Sequence, residues 1–273
     1  MRPQSSRFGV VSHVEVDGLS VAYRRTGEGP PLVLLHGGLS DSREWRRQLE
    51  ELSDEFDVVA WDAPGCGDSS DPPEGFGLHG YADCLAGFIG ALGLDRAHLC
   101  GLSFGAGLAL ELYRRHPQLA ASLVLASAYA GWAGSLPPEV VEQRLRDVQR
   151  QADLPPAEVV DEWLPTLFAS SLPVGVIEEV AAIMRDFHPA GMRAMATAFA
   201  RADLRDVLTQ IDVPTLLLYG DADERSPRDV AAQLHAAIPR SRLVWLEGVG
   251  HQSNVEAPER FNAELRRFLA AVV

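Results

Sequence analysis

The sequence predicts an α/β fold: a mostly parallel eight-stranded sheet flanked by helices and interrupted by an inserted helical cap. Three observations predict it. Short apolar runs alternate with segments of helical periodicity along the first half of the chain. The alternation stops after Trp132 and gives way, up to Ala202, to helical segments punctuated by prolines. It then resumes, so that a core divided into residues 1–131 and 203–273 closes around a cap of 132–202.

Each element has its own reason. Val10–Val16 and Leu19–Arg25 are rich in β-branched and aromatic residues and are separated by Asp17-Gly18, a hairpin signal. Pro31–Leu35 is continuously apolar, as expected of a strand buried on both faces. Ser42–Asp54 carries Trp45, Leu49 and Leu52 at helical spacing. Phe56–Trp61 is again a buried strand, ending in the turn-rich Asp62-Ala63-Pro64-Gly65-Cys66-Gly67. Tyr81–Leu92 reads as helix, Ala97–Leu102 as strand, Phe104–His116 as helix and Ser122–Ala126 as strand. From Pro137 to Ala202 the helical pattern is broken at Pro155-Pro156, Pro165, Pro173 and Pro189, which predicts three or four short helices. Pro214–Tyr219 is a strand, Pro227–Ala237 a helix, Arg242–Leu246 a strand and Pro258–Val272 a final amphipathic helix.

Composition narrows the function. A chain of 273 residues, 47% hydrophobic, can bury a substantial core, which excludes disorder. Its formal charge is -14, and every basic residue is arginine. Such a surface repels phosphate backbones and anionic lipid, so neither nucleic acid nor membrane is expected as a partner. The absence of lysine excludes Schiff-base chemistry and a lysine general base. Cys66, Cys84 and Cys100 are odd in number and lack CxxC spacing, which argues against a disulfide framework and a zinc site. Cys100 reads as a small core residue. Met1–Arg7 is polar, without the apolar core of a signal peptide, and the uncharged stretch Leu119–Pro138 is broken by Ser, Gly and Pro. A cytoplasmic monomer or homodimer is expected.

The chemistry begins at Gly101-Leu102-Ser103-Phe104-Gly105, where a buried strand runs into a helix. A serine there must occupy a sharp, strained turn, with glycines where the flanking chains approach closely. The turn lifts the hydroxyl above the strand ends and sets the following helix N-terminus beneath any oxyanion formed there. The alternative, a serine serving only as an N-cap, is disfavoured by this strand-to-helix context. A serine hydroxyl needs a base. Of eight histidines, His251 is best placed, in the loop Gly248-Val249-Gly250-His251 between a strand and the last helix. The base needs an acid to fix its tautomer. Tyr219-Gly220-Asp221-Ala222-Asp223-Glu224 offers two aspartates; spacing favours Asp223, leaving Asp221 to hydrogen-bond the loop backbone. The stretch after Ser122–Ala126 has no carboxylate, which excludes an acid on that earlier strand. His36-Gly37-Gly38-Leu39 follows the strand ending at Leu35, and its glycines let backbone N–H groups point into the site. Gly38 and Phe104 are the expected oxyanion-hole donors, and His36 is expected to tie the loop together beneath the site.

Taken together these residues resemble the α/β-hydrolase superfamily across nearly the whole chain. The resemblance rests on His36-Gly37-Gly38 with Trp45 downstream, Asp62-Ala63-Pro64-Gly65-Cys66-Gly67-Asp68-Ser69, Gly101–Gly105, Gly220-Asp221-Ala222-Asp223 followed by Pro227, and Gly250-His251 with Glu256, Pro258 and Phe261. It implies that Asp223 is the acid, in agreement with the spacing. The branches most similar are small capped esterases, enol-lactonases and cofactor-free haloperoxidases. Ser at position 103 separates the chain from the dehalogenases and epoxide hydrolases that use an aspartate nucleophile. Leu39-Ser40 stands where proline iminopeptidases continue with Pro-Gly, and the Gly-Pro-Gly of meta-cleavage carbon–carbon hydrolases is also missing. Asp62–Ser69 lacks a lysine and a following helix and is read as a structural turn rather than a phosphate loop.

The expected activity is hydrolysis of a carboxylic ester or lactone bearing an apolar group, through an acyl-enzyme on Ser103, with no metal and no cofactor. Alternatives on the same residues are carbon–carbon bond hydrolysis, perhydrolysis, or a ligand receptor of the same fold. The cap should roof the site with Trp132, Trp163, Phe168, Met184, Phe187, Met192 and Phe199, about a third of them facing the pocket. Leu39, Trp132 and Trp163 are the expected substrate-binding residues. Arg185 and Arg193 read as solvated arginines on cap helices rather than as receptors for a substrate carboxylate.

Overall fold

The computed structural model describes residues 8–272. The polar segment Met1–Arg7 lies outside them.

Eight strands form one sheet: β1 (Val11–Val16), β2 (Leu19–Thr26), β3 (Pro31–Leu35), β4 (Asp57–Trp61), β5 (Ala97–Leu102), β6 (Ala120–Ala126), β7 (Thr215–Gly220) and β8 (Ser241–Leu246). Their order is β1-β2-β4-β3-β5-β6-β7-β8. The β1–β2 and β2–β4 pairs are antiparallel, and every other pair is parallel. Chain direction therefore reverses its lateral course at β3, which has β4 on one side and β5 on the other. Open sheets of this kind carry their sites outside the carboxyl ends of the strands at such a point. Register sets Leu35 opposite Gly101, so the segments following β3 and β5 leave the sheet side by side.

Side chains of β3 show why the sheet needs two covering layers. Val33 and Leu35 join one buried cluster with Leu85 of α2 (Leu78–Ala91) and Leu108 of α3 (Phe104–Arg115). Leu32 and Leu34 point the other way, into a cluster with Leu49 of α1 (Arg46–Leu52). All four strand residues are fully buried. Each such aliphatic side chain contributes about 1.5–3 kcal/mol relative to exposure, which fixes the register.

Between β6 and β7 the chain runs through α4 (Pro138–Gln151), α5 (Pro156–Trp163), α6 (Val174–Arg185), α7 (Pro189–Arg201) and the short α8 (Arg205–Leu208). Four helices thus occupy the proline-broken stretch, starting at Pro138, Pro156 and Pro189 or just after Pro173. Proline suits a helix start because its missing N–H would be unpaired there anyway. The inserted region has a neck. Trp132 N–H donates to the Phe199 carbonyl at 3.0 Å, Gly134 N–H to Ala202 at 3.2 Å, and Leu204 N–H to Ala130 at 2.9 Å. After β7 come α9 (Arg228–Ala237), the single turn α10 (Ser253–Glu256) and α11 (Pro258–Leu269), which covers the α1 side.

Several element boundaries differ from the expectations. The stretch expected as one helix over Ser42–Asp54 is a 3-10 turn, Ser42–Trp45, running into α1. The Asp41 carboxylate accepts the Arg43 N–H at 2.8 Å and sets that tighter start. Helix α2 begins at Leu78, ahead of Tyr81, because burial of Leu78 outweighs the poor helix propensity of Gly80. Strand β6 begins at Ala120, and α11 ends at Leu269. Cys66, Cys84 and Cys100 are all buried free thiols. No helix among the described residues is long and apolar enough to cross a membrane.

Candidate active site

Strand β5 delivers Ser103 in a backbone conformation of φ 52° and ψ −108°. A non-glycine residue held there stores about 1–3 kcal/mol of strain. The flanking glycines are required by contact: a Cβ on Gly101 would lie 2.3 Å from the Gly105 backbone, and one on Gly105 would lie 2.1 Å from the Leu35 carbonyl oxygen. Ser103 occupies the N-cap position of α3 without making a side-chain cap bond, so its hydroxyl is not spent on the helix.

The loop after β8 carries His251 and the loop after β7 carries Asp223. His251 Nδ1 and Asp223 Oδ2 are 2.9 Å apart, and both side chains are buried. The other oxygen, Oδ1, accepts the N–H groups of Arg225 at 2.8 Å and Ser226 at 2.9 Å. Burial pushes the Asp223 carboxyl up, but the charge and hydrogen bond of His251, with Ser226 and Ser127, outweigh it and hold the group below the ordinary aspartate value. Asp223 is thus an acceptor only, so Nδ1 of His251 is the donor in this contact and Nε2 is left for other partners. The Ser127 hydroxyl donates to the His251 carbonyl at 3.0 Å. Asp221 has the structural part expected of it, accepting the Gly248 N–H at 2.6 Å.

The inserted helices also hold the histidine. The Leu167 carbonyl accepts the N–H groups of His251 at 2.8 Å and Gln252 at 3.1 Å. The Glu256 carboxylate accepts the Gly250 N–H at 2.7 Å and, from the insertion, the Ser170 N–H at 2.8 Å and the Ala169 N–H at 3.1 Å.

Beside the serine, the loop after β3 turns at Leu39, which has φ 54°. His36 ties it down as expected. Its Nε2 accepts the Ala63 N–H at 2.9 Å, which puts the ring proton on Nδ1, facing the Gly37 carbonyl at 2.8 Å. Burial pushes His36 below the ordinary histidine value and keeps it neutral. Asp62 accepts the N–H groups of Ser42 at 2.7 Å and Asp68 at 3.0 Å, so Asp62–Ser69 is a structural turn. Sequence reasoning passed over Glu44, whose Oε1 accepts the Gly37 N–H at 3.2 Å from a fully buried position. Desolvation pushes that carboxyl up to about 8. The N–H groups of Gly38 and Phe104 donate to no acceptor among the described residues.

One cavity gathers these groups. Ser103, His251, Gly38 and Phe104 line it, together with Leu39, Trp132 and Trp163. Its walls enclose about 690 Å³, including the open mouth. Of the seven bulky cap residues singled out in the sequence, Trp132, Trp163, Met192 and Phe199 face the cavity, more than the third expected, whereas Phe168, Met184 and Phe187 do not. The sequence reading also missed Tyr129, Arg144, Arg225 and Gln252, all in the lining. Arg185 is exposed, and Arg193 pairs with Asp153 outside the cavity. Among the described residues no group of three or more His, Cys, Asp or Glu side chains is arranged to hold a metal ion.

Residues 32–264 match the model of the alpha/beta hydrolase family. The chain belongs to that family, and with its relatives this marks it as a hydrolytic enzyme. A thermophilic esterase from Thermogutta terrifontis, solved with malate bound, superposes with a TM-score of 0.88 at 32% identity, covering 97% of this chain and 99% of the other. The enol-lactonase of Burkholderia xenovorans gives 0.87 at 26% identity over 95% and 100% of the two chains. An alpha/beta hydrolase superfamily protein of Bacillus subtilis is 28% identical over 89% of this chain and 92% of its own length.

Proposed function

We propose that the protein hydrolyses a carboxylic ester or lactone through an acyl-enzyme on Ser103, with His251 as general base and Asp223 as its orienting acid. The observation that carries this reading is convergence. An unspent serine hydroxyl on a strained turn, a histidine with Nε2 free, and two unengaged amides line one cavity. That is the set of parts acyl transfer needs. The kinship with an esterase and an enol-lactonase supports the same chemistry.

In this mechanism Ser103 Oγ attacks the carbonyl carbon as His251 Nε2 takes its proton. The carbonyl oxygen becomes an oxyanion held by the Gly38 and Phe104 N–H groups, and Asp223 stabilises the imidazolium through Nδ1–H. Collapse breaks the carbon–oxygen bond to the leaving alcohol, which takes the proton from His251. Water, deprotonated by the same histidine, attacks the acyl-enzyme; the carboxylic acid leaves and the serine is restored. Leu39, Trp132 and Trp163 supply the apolar wall against which the substrate's hydrocarbon part is held.

Rates on p-nitrophenyl esters from acetate to decanoate, with Ser103→Ala and Asp223→Asn alongside the parent, test the proposal. Turnover by the parent that Ser103→Ala abolishes is the expected result. A folded parent inert on every ester and on simple lactones would overturn it.

A further inference from the structure

The cavity contains two cations that the mechanism does not use. Arg144 comes from α4, and Arg225 from the loop two residues beyond Asp223. Most arginines outside the cavity are paired with a carboxylate, as Arg43 is with Asp41 and Asp186. Neither Arg144 nor Arg225 has a carboxylate oxygen within 4.0 Å among the described residues.

Their heads are held by neutral groups. Arg225 Nη1 donates to the Thr166 hydroxyl at 2.8 Å, and its guanidinium lies 4.2 Å from the Trp163 ring centroid. Arg144 Nη2 donates to the Arg225 carbonyl at 2.9 Å and Nη1 to the Tyr129 hydroxyl at 3.2 Å. Its guanidinium lies 5.7 Å from the Tyr129 ring and 5.9 Å from the Trp132 ring. A guanidinium carries five N–H donors in a planar fork, so each head keeps donors unspent. Burial pulls the Arg225 pKa down and the neighbouring Arg144 charge adds to that pull, while Tyr129 and the Asp223 charge act against it. Two like charges in an apolar lining, neither in contact with a carboxylate, favour an anion that completes the site. Asp223 acts on Arg225 only through space, and Asp147, Glu162 and Glu224 share an outer groove with both arginines without pairing with either. In a chain of net charge -14, this is a local inversion of sign within the cavity that holds Ser103.

We propose that Arg144 and Arg225 form a carboxylate-binding pair, so that the ester or lactone cleaved at Ser103 carries a carboxylate on its far side. The proposal rests on the serine-hydrolase reading for its chemistry but not for its binding. Planar, bidentate recognition of a carboxylate is what a guanidinium stacked on an aromatic ring is preorganised for. The substrate then spans two anchors, its carbonyl between Ser103 and the oxyanion amides and its anionic end at the arginines, with hydrocarbon against Trp132 and Trp163.

The test compares monoethyl adipate with ethyl hexanoate by pH-stat, in the parent, Arg225→Gln and Arg225→Lys. Adipate binding to Ser103→Ala is measured by calorimetry alongside. The parent should favour the monoanion in kcat/KM by tenfold or more. Arg225→Gln should cut that preference at least tenfold, chiefly through KM of the monoanion, and Arg225→Lys should restore part of it. Adipate should bind Ser103→Ala and fail to bind the Ser103→Ala, Arg225→Gln double variant. A parent that hydrolyses ethyl hexanoate as well as monoethyl adipate, with no adipate binding, overturns the carboxylate pair and leaves the hydrolase reading standing. Adipate binding lost with Arg225, from a protein that cleaves no ester, overturns the hydrolase reading and leaves the pair standing.

Discussion

The backbone N–H of His251 donates to the Leu167 carbonyl at 2.8 Å, so a residue of the inserted helical region holds the histidine that the core strands deliver. Glu256 makes the same junction from the other side, gathering N–H groups from Gly250, Ala169 and Ser170. Glu256→Ala leaves those donors without an acceptor. It is expected to lower stability by about 2–3 kcal/mol in urea melts and to reduce kcat more than KM. An unchanged kcat in a destabilised protein would mean that the clamp serves folding alone.

Ser103 sits at φ 52° and ψ −108°, a conformation that glycine adopts far more readily than serine or alanine. Ser103→Gly should therefore abolish ester hydrolysis while raising stability by about 1 kcal/mol, and Ser103→Ala should abolish hydrolysis without that gain. Chemical denaturation of the three proteins separates strain from chemistry. Equal midpoints for the glycine and alanine variants would show that the turn stores nothing.

Asp223→Asn keeps the shape of the acid but removes the charge that fixes the His251 proton on Nδ1. A loss of about 10³–10⁴-fold in kcat is expected. Stability should respond to pH as well. The folded Asp223 carboxyl lies below its ordinary value of 3.8, so the stability it contributes is fully present above that value and disappears as pH falls through the folded value. Acid unfolding of the parent should be correspondingly steeper than that of Asp223→Asn. Parallel acid-unfolding curves would contradict the link.

Glu44 carries the opposite sign. Its folded carboxyl is pushed up to about 8 from an ordinary 4.5, so between those values the folded protein holds a proton that the unfolded chain has released. Stability should consequently decline as pH rises through that window. Glu44→Gln keeps an acceptor for the Gly37 N–H and should flatten this decline. Thermal melts from pH 5 to about 9 decide it, and an equal slope in both proteins would count against a protonated Glu44.

What could be read in the sequence was what is local in the chain. Strand β3 is apolar throughout, and β4, β5 and β7 are apolar but for Asp57, His98 and Thr215, because both faces are covered; each candidate triad residue follows a strand within a few positions. Leu102 leads directly into Ser103, Gly220 into the Asp221–Asp223 loop, and Leu246 into the glycine-bearing loop that ends at His251. Arg144 and Arg225 were not legible in this way. Arg144 lies on α4 among Glu142, Arg146 and Asp147, a setting that reads as a solvated face, and only the folding of the insertion over the sheet turns its guanidinium toward the cavity. Arg185 and Arg193 have the same local character and ended outside it. Glu44 was hidden for the same reason: one carboxylate beside Trp45 looks like a helix start in solvent until the Gly37 loop closes over it.

The neck at Ala130–Gly134 and Phe199–Leu204 brings the two ends of the insertion into backbone contact before either meets the sheet. A segment joined at such a closed base behaves as a cassette: its interior can be lengthened, shortened or grafted from a relative without the strand ends that carry Ser103, Asp223 and His251 being moved. One constraint travels with any graft. The incoming segment must present a carbonyl where Leu167 now meets His251 and backbone N–H groups where Ala169 and Ser170 meet Glu256. Substrate preference in this architecture can diversify where the insertion touches neither those atoms nor the core residues that Phe199, Gly191 and Arg144 pack against, namely Phe104, Gly65 and Arg225.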